Sequence, residues 1–319
     1  MSTYAIGIDL GGTTVKAGLV SIDGKILQQI SMPTEADKGP AIVAGQIVKA
    51  IKKISSPEND KRIIGVGVAT PGIVNTDGNT VEAPPNFKGW DSFPLRDSIA
   101  EGLGNNIPLR IENDANAAAL AEAKFGAGRG KKNFLFVIWG TGVGGGIIID
   151  GAIYHGPHGG AGEFGHGSID YEGPECNCGN IGCIESYIGQ KYLSARAVRY
   201  LETRRDSKVW KLVQNDAAKI EPKVLYEAAM MGDKAATEIM TEAGELLGVA
   251  ISSFMNIMNF DLAIVGGGIS AAGDLVFKPM NQRVKKCVMA PLRPIAQVLP
   301  AHLGNQAGIL GAAGLVMPE

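Results

Sequence analysis

The sequence predicts an α/β protein made of two related halves, and three observations carry that prediction. The pattern strand, glycine-rich turn, strand, Asp-Gly turn, strand occurs twice, over Tyr4–Ile30 and over Phe134–Tyr154. The chain of 319 residues suits two domains of ordinary size or one large α/β domain. Short apolar strand patterns also alternate with segments of helical period along much of its length. Hydrophobic residues make up 45%, enough for a proper core. The 44 glycines are about twice the usual frequency, and they are clustered rather than periodic, which excludes a collagen-like chain. They point instead to tight turns where backbone approaches something closely.

In order, Tyr4–Asp9 reads as a strand, Gly11-Gly12-Thr13-Thr14 as a turn, and Val15–Val20 as a second strand. Asp23-Gly24 then closes a hairpin with Ile26–Ile30, because Asp-Gly between apolar runs supplies the positive φ angles of a tight turn. Helical spacing of apolar residues predicts a helix over Pro40–Ile54. Strands follow at Ile63–Ala69 and Leu109–Glu112, and Asn113 with Asp114 caps a helix reaching Phe125. The second round runs through Phe134–Trp139, the turn Gly140–Gly146, Ile147–Ile149, Asp150-Gly151 and Ala152–Tyr154. A loop rich in Gly, His, Cys and Glu fills Gly156–Gly182. Helices are then expected over Glu185–Leu201, Lys223–Met231 and Asp233–Met258, followed by the strand Leu262–Val265 and the turn Gly266-Gly267-Gly268. Further helices close the chain over Leu275–Lys286 and Asn305–Val316.

Charge and targeting exclude several classes. Thirty Lys and Arg against 32 Asp and Glu leave a net charge of −2, so nothing pulls the chain onto nucleic acid or an anionic membrane. No apolar run reaches the ~18 residues of a membrane span, and no basic segment precedes an apolar one as in a secretory signal. A cytoplasmic protein is expected. Cys176, Cys178 and Cys183 crowd together, which in that compartment reads as metal binding rather than a disulfide framework; Cys287 stands in an apolar helical run and is expected to be buried. His155, His158 and His302 belong to no motif and read as loop or surface residues.

Three glycine turns follow apolar strands, a setting in which backbone N–H groups can be aimed at phosphate oxygens. Gly140-x-Gly142-x-x-Gly145 matches a dinucleotide fingerprint formally, but a strand rather than a helix follows it. The other turns lack the P-loop pattern, leaving phosphate held between two strand–turn–strand hairpins.

Asp9-Leu10-Gly11-Gly12-Thr13 and the later Gly-Thr-Gly turn resemble the sugar-kinase, actin and heat-shock ATPase superfamily. Four further motifs resemble the ROK family of bacterial sugar kinases and sugar-responsive repressors: Pro71-Gly72-Ile73-Val74, Glu112-Asn113-Asp114-Ala115-Asn116, Gly162-Glu163-Phe164-Gly165-His166, and the run from Cys176 through Cys178 and Cys183 to Glu185. The resemblance spans the chain in order. It implies two ribonuclease-H-like domains of the actin and hexokinase type with a ligand cleft between them, the smaller comprising residues 1–113 with 305–319 and the larger 114–304.

It also implies roles. ATP with Mg²⁺ would be held by Gly11, Gly12, Thr13 and Thr14 in the first turn and by Gly140, Thr141 and Gly142 in the second. Gly266, Gly267 and Gly268 would approach the adenosine. Asp9 would partner Mg²⁺ or its waters, and Lys16 would reach phosphate. Asp114 matches the family's general base, the acceptor that phosphoryl transfer to an alcohol needs. Gly72, Asn113, Asp114, Glu163, His166 and Glu185 would contact the sugar, with Glu112 and Asn116 in support. His166, Cys176, Cys178 and Cys183 make a sufficient set for closed, structural tetrahedral zinc, at a spacing unlike a zinc finger's.

The implied reaction is phosphorylation of a hexose at its 6-hydroxyl by ATP, with glucose the first choice. An N-acetylhexosamine kinase or fructokinase of the same family is the alternative, as is a non-enzymatic sugar-responsive regulator. Such regulators carry a DNA-binding domain ahead of the kinase-like part, and with a first phosphate turn at Gly11 none is expected here. The family implies a homodimer. Because the implied sugar ligands come from both halves, closure on sugar binding is expected.

Overall fold

The computed structural model describes residues 3–55, 62–85, 87–104 and 107–318. It divides into two compact units, the first comprising Met1–Lys132, Gly146–Gly162 and His302–Glu319, the second Asn133–Gly145 and Glu163–Ala301.

In the first unit β1 (Thr3–Leu10), β2 (Thr14–Ser21) and β3 (Ile26–Pro33) form an antiparallel meander. Gly24, with φ near +83°, closes its second hairpin as the Asp-Gly signal predicts. Helix α1 (Pro40–Ile54) leads to β4 (Arg62–Thr70), which runs parallel to β1. A small antiparallel sheet of β5 (Ile73–Val74), β6 (Thr80–Glu82) and β7 (Ser92–Pro94) precedes α2 (Leu95–Leu103). Then β8 (Leu109–Asn113) joins β4 in parallel, and α3 (Asp114–Phe125) follows directly. The main sheet has the order β3-β2-β1-β4-β8.

The second round repeats this plan. Strands β9 (Phe134–Trp139), β10 (Val143–Ile149) and β11 (Ala152–Ile153) come first. Helices α4 (Glu185–Ile188), α5 (Gln190–Leu201), α6 (Lys208–Leu212), α7 (Pro222–Met230) and α8 (Lys234–Met258) follow. Strand β12 (Leu262–Gly266), α9 (Asp274–Cys287) and β13 (Gln297–Pro300) complete it, and α10 (Ala307–Gly314) returns to the first unit. Its sheet order, β11-β10-β9-β12-β13, is the order of the first sheet read with the corresponding strands. The duplication seen as a sequence pattern is therefore a duplication of sheet topology.

Several elements differ from the expectation. Gly144, Gly145 and Gly146 lie within β10, so the second turn shrinks to Gly140–Gly142. The helix expected over Glu185–Leu201 breaks at Gly189, whose extended ψ of 146° interrupts the helical ladder. The sheet of β5–β7 was not anticipated because its strands are two or three residues long, too short to show a period. Cys287 is exposed, not buried: Met280, Val284 and Val288 take the inward positions, which turns the last residue of α9 outward.

Many glycines serve packing rather than turns. Gly18, Gly7 and Gly67 pair across β2, β1 and β4 in one row. A Cβ on any of them would overlap α10, at Ile309 for Gly18 and Gly7 and at Ala312 for Gly67. On α10 itself Gly311 lies against the carbonyl of Ala117 in α3. So α10 rests backbone-close on the sheet and on α3, whose alanines Ala117, Ala118 and Ala119 are buried. This packing places α3 with the first unit; a boundary at Asn113 and Asp114 separates α3 from α10.

Glu122, fully buried on α3, anchors the return of the chain. Its Oε1 accepts the N–H groups of His302 and Leu303, each at 2.9 Å, and its Oε2 accepts that of Ala127 at 2.7 Å. Removing the carboxylate leaves three backbone donors without that acceptor, and an unsatisfied buried donor costs about 1–3 kcal/mol. Glu122→Ala is expected to lower unfolding stability by ~3 kcal/mol or more, read from the urea midpoint at an unchanged slope.

Candidate active site

In the first unit the implied residues gather at one edge. Strands β1, β4 and β8 are parallel, Asp9 pairs in register with Ala69, and Thr70 with Asn113. Their carboxyl ends therefore bring Asp9, the Gly11–Thr14 turn, Gly72, Asn113 and Asp114 to the same end of one sheet, where open α/β sheets bind ligands.

The turn is braced from outside. The Gly11 N–H donates to the Thr14 carbonyl at 3.0 Å. Buried Thr34 donates its hydroxyl to the Gly11 carbonyl at 2.6 Å and its N–H to the Thr13 carbonyl at 3.0 Å. Gly12 and Thr13 are left exposed at the tip. Asp9 pairs with Lys16 at 3.3 Å. A side chain at Gly308, in the first turn of α10, would crowd the Asp9 carboxylate, so glycine keeps that carboxylate's place clear.

Asn113, not Asp114, is the N-cap of α3: its Oδ1 accepts the N–H groups of Ala115 at 2.9 Å and Asn116 at 3.2 Å. Its Nδ2 donates to the Gly72 carbonyl at 3.0 Å, and Gly72 holds the required φ of 91°. A side-chain amide carries two N–H groups, so Asn113 has one more to give. Asp114 is the first residue of α3, and its Oδ1 accepts the Ala115 N–H at 2.8 Å. Glu112 and Asn116 are buried behind this pair and bonded to each other, Asn116 Nδ2 donating to Glu112 Oε1 at 3.0 Å.

In the second unit two glycine turns stand side by side, because β9 and β12 are parallel neighbours with Gly266 in register with Ile138. Gly267, with φ near +93°, lies against the Trp139 backbone, where a Cβ would overlap the carbonyl. The Gly140 N–H donates to the Gly142 carbonyl at 2.9 Å, and Gln190 at the start of α5 donates its N–H to the carbonyls of Gly140 and Thr141 at 3.1 Å. Thr141 is exposed beside them. Glu185 reaches this turn: its Oε2 accepts the Val143 N–H at 2.9 Å. A Cβ at Gly142 would overlap that oxygen, so the glycine makes room for the carboxylate.

The ligand atoms of His166, Cys176, Cys178 and Cys183 lie within 4.8 Å of one another. Cys178 Sγ is 3.7 Å from Cys183 Sγ, and Cys176 Sγ is 3.7 Å from His166 Nδ1. Tetrahedral zinc with ordinary bond lengths separates two thiolates by about 3.8 Å and a thiolate from an imidazole nitrogen by about 3.6 Å. These two pairs already stand at the separations zinc requires, and the four side chains together would fill its tetrahedral positions. Burial pushes the Cys183 thiol up to about 12, so a metal is what would deprotonate it. The backbone N–H of Asn180 lowers Cys178, which favours the thiolate there. With Nδ1 turned to the cysteines, His166 directs Nε2 toward Glu163 Oε2, 3.9 Å away. His158 and His302 are exposed, and His155 bonds to Glu112.

Sequence reasoning missed Thr34, Gln190, and the tether from Glu185 to the second turn. Thr34 and Gln190 act through ordinary backbone bonds, and no local pattern marks a residue that meets its turn only after folding.

Among the described residues no helix is long and apolar enough to cross a membrane. The ROK family model matches residues 5–319. A glucokinase of Thermotoga maritima is 37% identical over 316 residues, covering 98% of this chain and 96% of that protein. A putative xylose repressor of a Caldicellulosiruptor species is 30% identical, covering 98% of this chain and 78% of the repressor. Among solved structures, a ROK family glucokinase of Streptomyces griseus in complex with glucose and AMPPNP superimposes with a TM-score of 0.82 at 34% identity, covering 98% of both chains. The duplicated sheets are those of this actin- and hexokinase-like fold. The match along nearly the whole chain, together with the His/Cys cluster and the Glu-Asn-Asp junction at a sheet edge, establishes that the chain belongs to the ROK family.

Proposed function

We propose that the protein transfers the γ-phosphoryl group of ATP to the 6-hydroxyl of a hexose, and that the hexose is glucose. The observation that carries this reading is Asp114 at the first position of α3, beside Asn113 with a donor to spare, at the same sheet edge as Asp9 and the first glycine turn. Similarity to glucokinases over nearly the whole chain supports it.

In this reading the Asp114 carboxylate accepts the proton of the attacking hydroxyl, and Asn113 donates to a neighbouring one. Glu163, His166 and Glu185 take further sugar hydroxyls, and Gly72 contributes backbone. The turns at Gly11–Thr14 and Gly140–Gly142 hold phosphates, Lys16 adds a charge, and Gly266–Gly268 border the adenosine. Asp9 supplies the hard oxygen donor that Mg²⁺ takes, and the ion would neutralise charge on the phosphates. Zinc, with four protein ligands, orders the sugar-binding loop and has no position open for water. We take the protein to be a homodimer; exposed Ile257, Met289 and Ile295 on the second unit are apolar surface that an interface would cover.

ADP release measured over a panel of glucose, mannose, fructose, N-acetylglucosamine and N-acetylmannosamine tests the reading. Glucose is expected to give the highest kcat/KM, above the next sugar by ~10-fold or more, as the loss of a hydrogen-bonded hydroxyl requires. ADP release with none of them would favour the regulator, which the repressor relative makes the second reading.

A further inference from the structure

Behind the Asn113–Asp114 junction lies a pair that the proposed chemistry does not use. Glu112 is buried, its side chain 8% exposed, and each of its oxygens is engaged. Oε1 accepts the main-chain N–H of Asn113 at 2.9 Å and the Asn116 amide at 3.0 Å. Oε2 meets Nε2 of His155 at 2.6 Å. His155 stands just after β11, on a segment held at several points. The Tyr154 N–H donates to the Ile147 carbonyl at 2.8 Å, and the Ala161 N–H to the His155 carbonyl at 3.0 Å. Gly159, with φ near +81°, lies against the Val74 carbonyl. One residue after Gly162 the chain reaches Glu163. A single carboxylate therefore ties the backbone of Asn113, a side chain of α3 and the segment leading into the sugar-binding loop.

We infer that Glu112 and His155 are positioning residues for the sugar: their ion pair sets where Asn113 and Asp114 stand, and the sugar affinity depends on it. The inference rests on the site assignment proposed above. Neither residue would touch the sugar; both act through Asn113. A carboxylate free to turn would release the Asn113 N–H and the Asn116 amide together, and a displacement of ~1 Å at a reacting group can cost 10²-fold in rate.

The geometry also predicts a pH dependence. The Glu112 carboxylate raises His155 above its ordinary value, so the pair is fully charged at lower pH and loses its charge as pH rises through that raised value. Glu112 and His155 line a cavity of about 1170 Å³ at the β8 edge, whose other described charged groups are Asp77, Arg96, Arg110, Lys124, Lys131 and Asp150. None of the implied nucleotide- or sugar-binding residues lines that cavity.

The test uses steady-state kinetics of the full chain from pH 6 to 9, with His155→Ala and His155→Arg. His155→Ala is expected to raise the sugar KM by about tenfold, with the ATP KM within about twofold. In the parent the sugar KM should climb with pH, by roughly threefold. His155→Arg, a permanent cation, should keep the low KM and abolish the climb. A merely structural histidine would lower the melting temperature and leave the KM values and their pH profile alone. An unchanged sugar KM in His155→Ala, or an undiminished climb in His155→Arg, overturns the inference. Should His155→Ala not fold, the comparison of the parent with His155→Arg decides it. Asp114→Asn separates this from the site assignment. If that variant is inactive while both His155 variants behave as the parent, the positioning role alone fails; if it turns over normally, the site assignment fails and the positioning role with it.

Discussion

Asp114→Asn should lower turnover by ~10²–10⁴ while leaving the fold and the sugar affinity close to the parent's, the range expected when general-base help is lost. The substitution is nearly isosteric, and the amide oxygen can still accept the Ala115 N–H that Asp114 Oδ1 accepts at 2.8 Å. The helix cap does not depend on it, because Asn113 supplies the cap. The loss should fall on kcat, with glucose binding by calorimetry little changed. Turnover within a few-fold of the parent would remove Asp114 from the base's role.

Loss of the metal should act on the sugar and spare the nucleotide. Cys183→Ser removes a buried sulfur from the four-residue cluster, and the protein should lose zinc and show a sugar KM raised by up to ~10²-fold with the ATP KM nearly unchanged. The argument is one of orientation. Glu163 is three residues from His166, and His166 directs Nε2 toward it only while Nδ1 is held among the cysteines. Glu185 follows Cys183 by two residues but keeps a second tether, the Val143 N–H on its Oε2. Metal loss should therefore disturb Glu163 and His166 more than Glu185. Zinc per chain and both KM values are the measurements. Loss of metal with intact sugar affinity would refute the orientational role, and a parent without zinc would refute the site.

Much of this was legible in the residues. Asp-Gly turns, the twice-repeated strand and glycine pattern, and the strand-to-helix junction at Asn113 are local signals, set by φ preferences and side-chain periodicity within a few residues. The cysteine cluster was legible for a related reason: Cys176, Cys178 and Cys183 are close in sequence, so little folding is needed to bring them together. The sequence places both Asn113 and Asp114 at the cap of α3 but does not choose between them, since two adjacent side chains compete for the same N–H groups and only folding decides which one wins. The glycines of Gly140–Gly146 signal a turn, yet four residues of that stretch extend a strand and Gly146 packs against Ala119 of α3.

By itself the sequence determined the duplicated α/β plan, the family, the clustering of Cys176, Cys178 and Cys183 and the position of the acid at the strand–helix junction. Only the tertiary structure decided that Gly18, Gly7 and Gly67 form one row beneath α10, since their pairing depends on strand register. The same holds for Glu122 meeting His302 across 180 residues, Glu185 meeting Val143 across 42 and Glu112 meeting His155 across 43. A carboxylate in a sequence carries no mark of the donor it will meet. That partner is chosen by packing, which buries the carboxylate and makes leaving it unpaired costly.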